Sequence, residues 1–160
     1  MGCLMPVAAT LYDWLMFPHI LAAMVWVGGL LAVGVLSTRV LRSGGRDAIA
    51  GFVGHLRVIG PLLFAPAMVA VLGLGIWLVL DTDTWHFSQT WIWLALALFA
   101  AAFLVGAVFQ SRAALGAERA ASAGDDREAA RQLRRWTWGM GVILVLLIVI
   151  TWDMVIKPGL

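Results

Sequence analysis

Residues 15–36 read LMFPHILAAMVWVGGLLAVGVL, an apolar stretch interrupted by one ionisable side chain, His19. As a helix rising ~1.5 Å per residue, these residues cross the ~30 Å hydrocarbon core of a bilayer. An imidazole inside such a span is costly and calls for a reason. One reason is a ligand: a cofactor or a metal. The other is a hydrogen bond to a neighbouring helix's backbone, or to a Ser or Thr. Ala22, Ala23 and Trp26 follow three, four and seven positions later, on the same helical face. Two alanines under an imidazole leave a shallow recess that a flat macrocycle can fill, and histidine is the commonest haem ligand.

The rest of the chain agrees with a membrane setting. Of 160 residues, 62% are hydrophobic and 12% charged, and mean hydropathy is +0.95, which excludes an ordinary soluble domain. Nothing resembles a nucleic-acid-reading element, so the basic pI reflects local arginine clusters. Cys3 is the single cysteine, which rules out an internal disulfide. The start has no basic leader region, and Pro6 stands where a myristoylation signal needs Ser or Thr. The first span is therefore expected to remain in the mature protein.

Three more apolar segments follow at 58–80, 91–109 and 136–152, the last running on to Ile156. Pro61 and Pro66 lie in the second, where a kink near Pro66 is expected. Pro18 should loosen the first helix beside His19. Arg39, Arg42, Arg46 and Arg57 fall in the first connection, and six more arginines fall between 110 and 135. The second connection carries Asp81 and Asp83 and no basic residue, and Lys157 is the one cation on that side. The positive-inside rule then places both arginine-rich connections in the cytoplasm and both termini outside. Eight of the nine tryptophans lie near segment ends and read as interfacial anchors; Trp26 does not. Asp125 and Glu128 have the spacing of a helix N-cap with a reciprocal carboxylate. Ala22, Ala23, Gly28, Gly29, Gly73, Gly75, Gly106, Gly139 and Gly141 are candidates for close helix approach.

Asp153 and Lys157 stand one turn apart and predict an ion pair at the outer end of the fourth helix. With Asp13 and His19 they would form one outer polar cluster, in which Lys157 would also suit a cofactor carboxylate. His86, with His19, Met16 and Met154, would suit copper on the outer face. His55 reads as an interfacial residue. No nucleophile triad, phosphate loop or zinc motif occurs, and the spans hold no chain of carboxylates for an ion path.

His19-Ile-Leu-Ala-Ala-Met-Val-Trp26-Val-Gly28-Gly29-Leu30 resembles the first helix of the DUF2269 family of small integral membrane proteins. Pro66-Ala-Met68, the segment from Gly73 to Trp77, and the close Met154-Val-Ile-Lys157-Pro158-Gly-Leu160 are similar too. Two related groups share the His…Trp-x-Gly pattern: the HemJ-type protoporphyrinogen oxidases, which bind haem b through this histidine, and the copper-resistance D proteins. The oxidases carry a lysine four residues after a tryptophan in the third helix. Here Trp91 is followed at that spacing by Ala95, and Trp93 by Ala97. Their Asn-Glu-x-Pro segment is replaced by Arg135-Trp-Thr-Trp-Gly139. The resemblance thus implies haem binding by His19 without oxidase chemistry.

These residues predict an all-α, four-helix transmembrane up-down-up-down bundle, one domain over residues 1–160. Helices are expected at about 11–40, 50–80, 90–118 and 126–156, in a bacterial inner membrane. The leading function is a redox-accessory protein holding b-type haem through His19, with Ala22, Ala23, Trp26 and Lys157 around it. The alternatives are a cofactor-free structural or assembly subunit of a larger membrane complex, and copper handling through His19 and His86. An enzyme is the least supported. The partners expected are the lipid bilayer and either a second copy or a larger complex, not nucleic acid.

Overall fold

The computed structural model describes residues 10–43 and 45–159, with Arg46 known by its backbone. The readings at Cys3, Pro6 and Leu160 lie outside it. Among the described residues the structure is all helical, with four helices long and apolar enough to cross a membrane. These are α1 (Leu11–Ser43), α2 (Asp47–Leu80), α3 (Thr90–Ser122) and α4 (Asp126–Ile156). Their order and short connections agree with an up-down bundle. Leu62, Val69, Leu104, Val145, Ile148 and Val155 face outward, as expected of a surface solvated by lipid.

Each helix has 31 to 34 residues, or ~46–51 Å at ~1.5 Å per residue, longer than the ~30 Å hydrocarbon core. The excess gathers at the arginine-rich end. There α3 continues to Ser122, beyond the expected 118, and pairs with the start of α4. Ala113, Ala117, Ala129 and Leu133 are buried between them, joined by Ile49, Phe52 and Val53 from the amphipathic start of α2. Alanine at these contacts lets the helices approach closely.

The N-cap of α4 is as expected in one half only. The Asp125 carboxylate accepts the Glu128 N–H at 2.9 Å. The reciprocal bond does not form, because the Asp125 N–H already donates to the Ala120 carbonyl. Glu128 instead accepts from Gln132 at 2.7 Å and pairs with Arg131. Asp125→Ala should cost about 1 kcal/mol, read as a lower thermal unfolding midpoint in detergent.

α1 packs on α2 and α4, and α4 packs on α3. The register between α1 and α4 is set by Thr137, whose hydroxyl donates to Ser37 Oγ at 3.0 Å, and by Gly34, which faces Met140. Buried Ser37 in turn donates to the Gly34 carbonyl. Gly29 meets the Phe64 ring, Gly75 meets His19, and Gly139 meets Phe109, so these three do serve close contact. Gly28, Gly73 and Gly141 do not; a Cβ there would meet nothing within 4 Å.

Pro18 leaves α1 continuous. The irregularity expected at Pro66 lies just before it, as a π turn at Gly60–Phe64. Pro61 and Pro66 have no N–H for ordinary helical bonding, and the wider turn closes with the Ala65 N–H on the Gly60 carbonyl. A second π turn occupies Val105–Gln110 in α3, without proline. Trp14, Trp77, Trp93, Trp138 and Trp152 face outward as anchors should. Trp91 and Trp136 do not: both are buried, Trp136 edge-on to Phe52 at 5.6 Å.

Candidate functional site

His19 lies on the buried side of α1, with its ring against α2 where Gly75 has no side chain. A Cβ at Gly75 would come within 3.2 Å of the ring's Cε1. The buried Nδ1 has no hydrogen-bond partner of ordinary geometry, and the Val71 backbone of α2 lies beside the ring. Ala22 and Ala23 are half-buried, and Trp26 is buried, its ring edge-on to Phe99 of α3 at 5.6 Å.

The expected outer cluster of Asp13, His19, Asp153 and Lys157 does not assemble. Asp13 sits at the exposed start of α1, accepting from the Thr10 N–H and hydroxyl. Asp153 and Lys157 form no ion pair. The one-turn spacing joins side chains only while both residues are helical. Lys157 is the left-handed C-cap of α4, with φ of 49°, and its side chain leaves the Asp153 face. Its Nζ instead stands 4.0 Å above the Trp85 ring and 5.8 Å from Trp91. These two rings meet edge-on, and the negative face of the Trp85 indole attracts the half-buried ammonium.

Asp153 is left fully buried, with neither carboxylate oxygen hydrogen-bonded. It also stands in the last turn of α4, where the helix dipole disfavours negative charge. Its burial had a sequence signal. Met140, Ile143, Leu147, Ile150 and Asp153 follow one another at steps of three and four, the stripe α4 turns inward.

The α1–α4 register brings His19 and Asp153 to one depth. From the Ser37–Thr137 bond, His19 lies 18 residues up α1 and Asp153 16 residues up α4. At ~1.5 Å per residue the two levels differ by ~3 Å. An imidazole and a carboxyl, each with an orphaned polar atom, thus share one level of an otherwise apolar bundle. Such groups are normally paired, by protein or by water.

Of the copper set, His19 lies against α2 and His86 belongs to the second connection. His86 is exposed there, and its backbone N–H donates to Gln89 Oε1 at 3.3 Å. Among the described residues no group of three His, Cys, Asp or Glu side chains could hold a metal ion. His55 is on the exposed face of α2, its ring bonded to the Gly51 carbonyl at 2.6 Å.

Haem fits His19 poorly in this packing. The orphaned Nδ1 suits a ligand, but the ring edge that carries it lies against α2 at Gly75, so a porphyrin there would have to part the two helices. A cavity of about 510 Å³ begins at Trp26 and extends towards the arginine-rich end, and no histidine lines it. Sequence reading missed this cavity. Its signals were Gly60 and Pro61 in α2 and Gly106 in α3, which lie in the two π turns and line it.

No curated protein and no solved structure matches the chain. A family model described as "Predicted integral membrane protein (DUF2269)" matches residues 13–158, a stretch that takes in His19, both π turns, Asp153 and Lys157. The chain belongs to the DUF2269 family of predicted integral membrane proteins.

Proposed function

We propose that this multi-pass membrane protein is a proton-exchanging accessory protein whose working groups are His19 and Asp153. The observation that carries this reading is the pair of ionisable side chains at one depth with unpartnered polar atoms. Ionisable groups inside membrane spans are expensive and are kept where they move or hold something. An imidazole and a carboxyl can each accept or donate a proton, so together they can hold one between them, directly after a rotamer change or through a water. The spans 58–80, 91–109 and 136–152 contain no other Asp, Glu, His, Lys or Arg. A proton taken up at this level is therefore returned to the same side. That suits a partner in proton-coupled redox chemistry and does not suit a channel.

The arginine asymmetry supports a bacterial inner-membrane orientation with the arginine-rich end in the cytoplasm and the His19–Asp153 level in the outer leaflet. Haem b on His19 is the competing reading, favoured by the resemblance to the HemJ-type oxidases and opposed by the close contact with Gly75.

Two measurements separate them. In the purified protein, the nitrogen-15 signals of the His19 ring should titrate, and Asp153→Asn should displace that titration. An unmoved titration removes the pair as a unit. Protein from haem-replete cells should show no Soret band; a band that vanishes in His19→Ala would put haem in place of this proposal.

A further inference from the structure

The cavity below Trp26 has the shape and charge pattern of a lipid site. α2 and α3 touch only at the arginine-rich end, where the start of α2 meets the last turns of α3. From Ala65 onward α2 leans on α1 alone, while α3 from Thr90 to Leu104 leans on α4. A slot is thereby left between α2 and α3, facing the lipid. Trp26 of α1 and Met140 of α4 form its floor, and Phe64, Met68, Phe103 and Gly106 form its walls. At about 510 Å³ it falls within the ~300–1,000 Å³ of ordinary ligand pockets.

Its polarity runs one way. The membrane-centre part is apolar. The other end carries Gln110, Ser111 and an Arg57–Glu118 pair, with Nη1 2.8 Å from Oε1. From Ala102 to Glu118 on α3 the lining spans 16 residues, or ~24 Å. That exceeds the ~15 Å of one hydrocarbon leaflet, so the slot reaches from the bilayer centre to the headgroup level. The two arginine-rich connections hold ten arginines against Asp47, Glu118, Asp125, Asp126 and Glu128, a net of +5. The opposite end has Lys157 against Asp13, Asp81, Asp83 and Asp153, a net of −3.

From this complementarity we infer that the slot between α2 and α3 binds an anionic phospholipid, with one acyl chain along Phe64, Met68 and Gly106 and the phosphate at Arg57. The two π turns widen the helices where the chain enters. Arg57 is shared between Glu118 and the phosphate, so Glu118 competes with the lipid for it.

The test uses the full-length protein in nanodiscs of phosphatidylcholine doped with phosphatidylglycerol, with bound lipid read by native mass spectrometry. Phosphatidylglycerol should be retained in preference to phosphatidylcholine. Arg57→Gln should weaken that preference about fivefold, and Glu118→Gln should strengthen it by a similar factor. Gly106→Leu should expel the chain, since Gly106 lines the slot and the new side chain would fill the space beside Ile143. Circular dichroism melts of each variant separate lost binding from lost folding. Equal retention of both lipids overturns the inference. So does glycerol phosphate competing as well as the whole lipid, which would leave no part for the acyl chain. A cross-link from Ala107→Cys to a second copy, with no lipid retained, would assign the slot to dimer contact instead.

Discussion

Trp136→Ala should lower the unfolding free energy by about 3–5 kcal/mol, the largest loss expected from any single truncation in this protein. Trp136 is 5% exposed and lies where α4 leaves the apolar region. Its ring meets Phe52 of α2 edge-on at 5.6 Å and also walls the slot between α2 and α3. α2 has few other holds on α4, since it leans mainly on α1. Removing the indole therefore enlarges an existing cavity and frees one helix pair together. Trp136→Phe should recover more than half of the loss. A denaturant series in mild detergent, followed by tryptophan-independent circular dichroism, measures both. A loss below about 1 kcal/mol for the alanine variant would mean that α2 is held elsewhere.

Asp153→Leu should act in the opposite direction, raising stability by about 1–3 kcal/mol, because it replaces a buried carboxyl that has no hydrogen-bond partner. Asp153→Asn keeps a polar group in the same place and should give little of that gain. The leucine variant should displace the His19 titration as Asp153→Asn does, since both remove the carboxyl. Stability gained together with function lost is the usual mark of a residue kept for what it does. A destabilised leucine variant would show that Asp153 is satisfied, for instance by ordered water shared with His19.

The four spans, their order and the Asp125 cap of α4 were legible because they rest on local rules: apolar length and the Asp125 spacing. Helix ends near 11, 80, 90, 126 and 156 follow from the same rules. What could not be read depended on side-chain direction. The Asp153–Lys157 pair failed because a left-handed residue at 157 turns one partner away, and the conformation of Lys157 is set by the end of the helix. Trp91 and Trp136 resemble the anchoring tryptophans in position, yet rotation about the helix axis turns them inward. His19 was identifiable as the odd residue in its span. That it faces Gly75 depends on the α1–α2 register, which glycines at 28, 29, 73 and 75 leave ambiguous. The lateral slot depends on two helices failing to touch, for which single-helix periodicity has no sign.

The overhang at the arginine-rich end distributes the forces of assembly unevenly. Inside hydrocarbon, helix association has no hydrophobic driving force and rests on packing and a few hydrogen bonds such as Thr137 to Ser37. Beyond the hydrocarbon core, Leu133, Val53 and Ala117 are withdrawn from water, and there the ordinary hydrophobic effect operates. The bundle is thus knotted at one end and comparatively loose at the other, like a bouquet gathered at the stems. Spreading of α2 from α3 towards lipid, and repacking around His19, can then occur while the gathered end keeps all four helices in register.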